Sequence, residues 1–290
     1  MRVLKAPTIP VTDFASLQFP VLVSDKEDGI RAITHPKLGP VSQTLHLIPN
    51  GHIAVHLSGL HTPYYLDGEI VTFTNGVQDD FHTVQSKVMS AHGQPHFKFL
   101  VFDHWEFWNM PYDMRMSRAQ VVIRDLSWCQ WLKQTTCWCP SHLEELERDA
   151  LSRGKEGLML RHPQGIYKPG RSTLNEGYLL KVKRFTDDEA LVVSLEEQME
   201  NLNPATLDER GYTKRTSHQA LKRGKRRVGT LICDWHGKEI RVSGFTDLQA
   251  CNWWEDPSLI LDKTITFTYQ KHGTINLPRQ PKFKGIRYDT

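Results

Sequence analysis

The sequence predicts an α+β chain of two domains, the second of them a small β-barrel. Three observations carry this. Strand-like and helix-like segments alternate through the first two thirds, only short strands separated by turn residues follow, and 290 residues suit two domains at roughly 100–200 residues each. Hydrophobic residues at 39% and charged residues at 24% exclude disordered, collagen-like and disulfide-scaffold classes. No apolar run reaches the roughly 18 residues of a membrane span, so no membrane partner is expected.

The elements follow in order. Pro20-Val21-Leu22-Val23, Tyr65-Leu66-Asp67-Gly68-Glu69-Ile70-Val71 and Phe97-Lys98-Phe99-Leu100-Val101-Phe102-Asp103 read as strands. Ser141-His142-Leu143-Glu144 reads as a capping box that opens a helix, with Leu143, Leu146, Ala150 and Leu151 on one face and Gly154 ending it. Leu179-Leu180-Lys181-Val182-Lys183 is a strand with two lysines on one face. The join falls near Lys183 to Asp188, which gives domains 1–186 and 187–290. Beyond it, Val228–Trp235, Glu239–Val242 and Thr264–Tyr269 supply the short strands of the barrel.

Charge is concentrated in one place. Between Asn201 and Arg227 stand Arg210, Lys214, Arg215, Lys222, Arg223, Lys225, Arg226 and Arg227, against only Asp208 and Glu209. This segment carries +6, while the rest of the chain sums to −3 of a formal +3. It has few large apolar residues, so a functional loop or a mobile arm is expected there. Five sparse cysteines, Cys129, Cys137, Cys139, Cys233 and Cys251, and a start without an apolar leader point to a reducing cytosol, bacterial or viral-host, and not to secretion. Cys137-Trp138-Cys139 lacks the usual gap of a zinc pair.

Candidate chemistry begins at Lys26-Glu27-Asp28-Gly29-Ile30-Arg31, directly after an apolar strand. Alone, Lys-x-Asp-Gly is a weak signal and reads more readily as a charged turn. Its order with other segments is what counts. Glu69 stands mid-strand, Phe102 follows in a strand of its own, Glu156-Gly157-Leu158-Met159-Leu160-Arg161 follows the helix, and Lys181 and Lys183 come after. Tyr167–Leu174, Gly211–His218 and Pro278–Arg287 extend the series.

This ordered set resembles the covalent nucleotidyltransferase superfamily of DNA ligases, RNA ligases and capping enzymes, and within it the small ATP-dependent DNA ligases. The resemblance covers nearly the whole chain. It implies a nucleotidyltransferase (adenylation) domain followed by a C-terminal OB-fold barrel, with ATP as co-substrate, Mg²⁺ or Mn²⁺ as cofactor and nicked double-stranded DNA as partner, encircled by a monomer. It makes Lys26 the nucleophile that attacks the α-phosphorus of ATP. An unperturbed lysine is neutral only about 0.04% of the time at pH 7, a penalty near 4.6 kcal/mol, so Lys181, Lys183, Arg31 and a metal are expected to lower its pKa. By the same resemblance, Ser24 accepts from the adenine amine, Phe102 stacks on the base, and Arg31 and Glu69 lie near the ribose. Glu156 and Glu69 are metal-site acids, and Lys181 and Lys183 hold the α-phosphate. Arg279 and Arg287 orient the leaving pyrophosphate. Lys214, Arg215, Lys222, Arg223, Lys225, Arg226 and Arg227 contact DNA from a latch-like insert at about 201–227.

One departure concerns Ser42-Gln43-Thr44-Leu45-His46. The family carries arginine and lysine where Gln43 and His46 stand, so a DNA-phosphate contact through Gln43 would lack charge-assisted geometry. RNA ligase or capping-type chemistry and a non-catalytic OB-type DNA-binding protein are the alternatives. The Arg279-to-Arg287 segment disfavours the first, and the complete lysine and glutamate set disfavours the second.

Overall fold

The computed structural model describes residues 3–9, 11–59, 64–207, 213–216, 218–270 and 277–287, without the side chains of 8, 9, 11–13, 207, 214 and 220. The chain passes from one compact unit to a second between Lys183 and Arg184.

The first unit holds two sheets. One runs in the order Thr8–Ile9, Leu179–Lys183, Gly157–Arg161, Val21–Asp25, Thr135–Cys137. Its register decides which face does what, because cross-strand partners point the same way. Leu158 lies between Asp25 and Val182, and Leu160 between Val23 and Leu180. With Val21 these valines and leucines form a buried cluster under Leu143 and Ala150 of the helix Pro140–Ser152. Each such side chain contributes about 1.5–3 kcal/mol by burial. The opposite face carries the row Ser24–Met159–Lys181 and the pair Gly157–Lys183.

The second sheet runs Gly39–Ser42, Ile30–His35, Leu66–Thr74, His96–His104, Cys129–Trp131, with Val77–Gln78 folded back on Leu66–Thr74. Ala32, Leu66, Ile70, Phe97, Phe99 and Val101 bury against Ile53 and Leu57 of the helix Gly51–Ser58, Val84 and Val88 of Phe81–Met89, and Ala119 and Ile123 of Tyr112–Ile123. Arg31 pairs with Glu69, and Ile33 with Asp67, so Arg31, Asp67 and Glu69 share the other face. Gly68 must be glycine, since a Cβ there would lie 2.7 Å from the Phe99 ring and from the Leu100 carbonyl.

The helix Pro140–Ser152 corrects the capping-box expectation. Cys139 is its N-cap, without a side-chain hydrogen bond, and Pro140 opens it, which places Ser141 inside the first turn. Proline at that position sacrifices no hydrogen bond and presets φ. The C-terminus is as expected. Gly154 sits at φ +74°, with Gly154 N–H donating to Leu151 O (3.0 Å) and Lys155 N–H to Ala150 O (3.0 Å), a Schellman closure.

The second unit is a five-stranded antiparallel sheet in the order Lys238–Val242, Lys222–Trp235, Thr186–Asn201, Thr264–Gln270, Arg279–Ile286. Its outer edges meet, because Ser243, just past the first strand in that order, bridges to Lys282 of the last and accepts from Phe283 N–H at 2.8 Å. That closes the sheet into a barrel. A helix not expected from sequence, Asp247–Glu255, opens with a capping box at Thr246 and Gln249 and buries Trp253 in the barrel core beside Ile265 and Phe267.

The basic segment also differs from expectation. Lys222–Arg227 are not loop residues. They begin the strand Lys222–Trp235, paired with the far end of Thr186–Asn201. The charge count that starts at Asn201 leaves out Glu197 and Glu200 just upstream, which lie against the cations of the neighbouring strand. Glu200 pairs with Arg223, and Glu197 accepts from Arg226 N–H at 2.8 Å. A smaller hairpin pairs Ala205–Leu207 with Thr213–Arg215. Residues 208–212 and 217 and the side chain of Lys214 lie outside the described residues.

Candidate active site

Lys26 follows the strand Val21–Asp25 and continues its ladder, its N–H donating to Gly157 O at 2.9 Å. This ties the nucleophile candidate to Glu156. Gly157 itself admits no Cβ, since one would collide with Val182 O, and a Cβ on Gly29 would collide with Ile70 O and lie 2.8 Å from Glu69 Cγ. The glycines of both motifs are therefore close-approach positions.

Glu156 is the hub. One carboxylate oxygen is ion-paired with Lys26 Nζ and the other with Lys183 Nζ, and its side chain is 3% exposed. Burial alone would raise its pKa; Lys26 and Lys183 outweigh burial and hold it at about 2. Lys181, two residues from Lys183 on the same face, is lowered by burial and by the nearby cations Lys183 and Lys26. Glu69 is pushed up to about 7, chiefly by burial, against the pull of Lys26 and Arg31.

A second constellation sits on the other sheet. Arg31 donates to both oxygens of the fully buried Asp67 (Nε–Oδ1 2.9 Å, Nη2–Oδ2 2.5 Å), and Tyr167 Oη donates to Asp67 Oδ2 at 2.7 Å. Burial would lower the Arg31 pKa, but Asp67 reverses this and keeps the guanidinium charged. Burial, then Asp67, raise the Tyr167 hydroxyl well above its usual range. The Arg31 guanidinium lies 5.4 Å from the Phe102 ring centroid and that of Arg161 lies 5.1 Å from it. Phe102 reaches this place through a β-bulge. Asp103 pairs with Asp67 and Val101 with Gly68, so Phe102 is the extra residue. Below it, buried Asp103 is clamped by Arg115 (2.9 Å) and Arg161 (2.7 Å).

The structure thus joins Lys26, Glu156 and Lys183 directly, and Arg31 with Phe102. Lys181 and Glu69 feel the charge of Lys26, and Ser24 is buried in the row of Lys181. Gln43 is exposed in the turn after Gly39–Ser42. In the second unit, Arg279 opens the last strand opposite Gln270, and Arg287 is ion-paired with Glu189. Arg223, Lys225 and Arg226 are exposed and Lys222 and Arg227 half-buried; Arg227 donates to Gln198 and to Asp247 at 3.1 Å. Arg215, exposed, donates to Asn203 O.

The family model for the ATP dependent DNA ligase domain matches residues 13–183. The chain belongs to the ATP-dependent DNA ligase family. A DNA ligase OB-like domain matches residues 222–287. Among solved structures, Chlorella virus DNA ligase-adenylate is 29% identical at TM-score 0.55, covering 100% of this chain and 99% of its own. A Lig E DNA ligase is 21% identical at TM-score 0.71, covering 99% of each chain. No curated protein matches the sequence.

Three site residues carried no role in the sequence reading: Asp67, Tyr167 and Arg161. Each lies inside a segment that drew attention. Asp67 and Glu69 have the period-two spacing of a shared face, and so do Met159 and Arg161. That signal was available for two of the three. Nothing local marks Tyr167, whose partner is 100 residues away.

Proposed function

We propose that this DNA ligase seals nicks in duplex DNA through a lysyl-AMP at Lys26, a DNA-adenylate and phosphodiester formation. The observation that carries the reading is Glu156, whose two oxygens hold Lys26 and Lys183 side by side. In the first step Lys26 Nζ, after losing one proton to solvent, bonds to the α-phosphorus as the bond to the pyrophosphate oxygen breaks, and a second proton leaves the nitrogen to solvent or to the departing pyrophosphate. Glu156, held near 2, is no base at neutral pH; it aims the nitrogen. Lys183 and Lys181 face the same side of their strand and would draw charge from the α-phosphate. Phe102, flanked by Arg31 and Arg161, offers its ring to the adenine, and buried Ser24 an acceptor to the adenine amine. In the next steps the 5′-phosphate of the nick takes AMP from Lys26, and the 3′-hydroxyl then displaces AMP.

Mg²⁺ or Mn²⁺ fits this donor set. Hard carboxylate oxygens match a hard cation that keeps water and substrate phosphate among its ligands. Glu156 and Glu69 would hold it through their carboxylate oxygens. Bound there, the cation would neutralise charge on the phosphates. Arg279 and Arg287 are proposed to orient the leaving pyrophosphate, and Arg215, Lys222 and Arg223 with Lys225–Arg227 to contact DNA.

Lys26→Ala tests the reading. It should form no covalent AMP adduct with ATP, yet should seal a pre-adenylylated nick at a measurable rate. An adduct of intact mass on that variant would remove Lys26 as nucleophile.

A further inference from the structure

Three consecutive residues around the nucleophile meet three residues of one short segment. Asp25 accepts from both Nη atoms of Arg153 (2.6 and 2.9 Å), Lys26 pairs with Glu156, and Glu27 accepts from Lys155 Nζ through both oxygens (2.8 and 3.0 Å). Along Asp25, Lys26 and Glu27 the signs run acid, base, acid, and their respective partners Arg153, Glu156 and Lys155 run base, acid, base. The backbone bond from Lys26 N–H to Gly157 O fixes the register of the whole ladder. The donor segment is itself rigid, because Arg153, Gly154 and Lys155 form the Schellman closure of the helix Pro140–Ser152, and Arg153 is further tied to Asp149 at 3.0 Å.

We infer that Arg153 and Lys155 are positioning residues for the adenylylation step, holding Lys26 on Glu156 by clamping the acids that flank it in sequence. The physical case lies in competition. Glu27 is adjacent in the chain to Lys26 and only 10% exposed, so an unclamped Glu27 is a second partner for the Lys26 ammonium. Lys155 occupies both of its oxygens and removes that choice. Asp25, anchored from the other side, stops the strand end from rotating. Arg153 and Lys155 bind the flanking acids Asp25 and Glu27 and not Lys26 itself, so an effect of either on the first step is read as passing through Lys26.

This rests on the Lys26 assignment, and the test separates the two. With ATP and a divalent cation, the wild-type chain should give a Lys26-linked AMP adduct; its absence would end the assignment before the clamp is examined. Given the adduct, Lys155→Ala should slow single-turnover adenylylation at saturating ATP by about 10- to 100-fold, the range expected when a reacting atom is misplaced by about 1 Å. Sealing of a pre-adenylylated nick, which needs no nucleophile from the protein, should stay within about twofold of wild type. Lys155→Arg should restore the first step. Glu27→Gln/Lys155→Ala should lose no more than the slower single variant, because both changes break one pair. A first-step rate within threefold of wild type in Lys155→Ala, an equal loss in both steps, or a double variant whose losses multiply would each overturn the inference.

Discussion

Glu69 and Glu156 are two carboxylates of one site that burial and neighbouring cations drive in opposite directions, to about 7 and about 2. The consequences for stability have opposite signs. A depressed acid stabilises above its unfolded value near 4.5 and loses that contribution as pH falls toward 2. A raised acid does the reverse, so Glu69 costs stability as pH climbs from 4.5 through 7. Glu69→Gln should therefore gain on wild type across that window, by about 1–3 kcal/mol at pH 8, while adenylylation falls steeply. Thermal melts of both proteins at pH 5 and pH 8 check this; a constant difference between them would mean that folding does not raise the Glu69 pKa.

At the scale of elements, the ribbon formed by the ends of Thr186–Asn201 and Lys222–Trp235 separates two kinds of cation. Between the pairs Glu197–Val228 and Met199–Gly224, Gln198 alone faces Lys225, Arg226 and Arg227. This bulge leaves Lys225 and Arg226 exposed and turns Arg227 toward Gln198 and Asp247. Replacing Arg223, Lys225 and Arg226 together by alanine should lower the log–log salt slope of nick binding by about two to three, at roughly 0.9 per phosphate contact, and should leave the melting temperature nearly unchanged. Arg227→Ala should instead lower the melting temperature. The ribbon also marks where sequence reading stopped. Lys26, Glu156 and Lys183 were legible because the order of their motifs along the chain carries the family resemblance. Phe102 was legible in identity but not in placement, since a bulge changes parity without leaving a mark in the sequence. The helix Asp247–Glu255 was missed because its apolar side is little more than Ala250 and the adjacent Trp253-Trp254 pair, and one turn of periodicity does not show in a short window. The strand beginning at Lys222 was missed because a window starting at Asn201 excluded Glu197 and Glu200, which lie across from it.

At the scale of the molecule, stability and charge both turn on a few buried groups. His104, 2% exposed, is lowered to about 4 by burial, then by Arg118. The unfolded chain takes up that proton near 6.5 and the folded one only near 4, so stability present above 6.5 is lost as pH falls through that window. His104→Gln should flatten the loss between pH 6.5 and 4 in denaturant titrations; an unchanged slope would assign the acid lability elsewhere. Glu156, shared by two lysines, has a different consequence. Before reaction the trio Lys26, Glu156 and Lys183 sums to one positive charge. Once AMP is attached, the Lys26 nitrogen is neutral and its phosphoryl carries a negative charge, so the same spot sums to one negative charge. On a chain of formal +3, gaining two negative charges is a large fraction of the total. The loaded and unloaded enzymes are therefore separable by isoelectric focusing, and a second ATP arriving at the loaded site meets a repulsive field where the first met an attractive one.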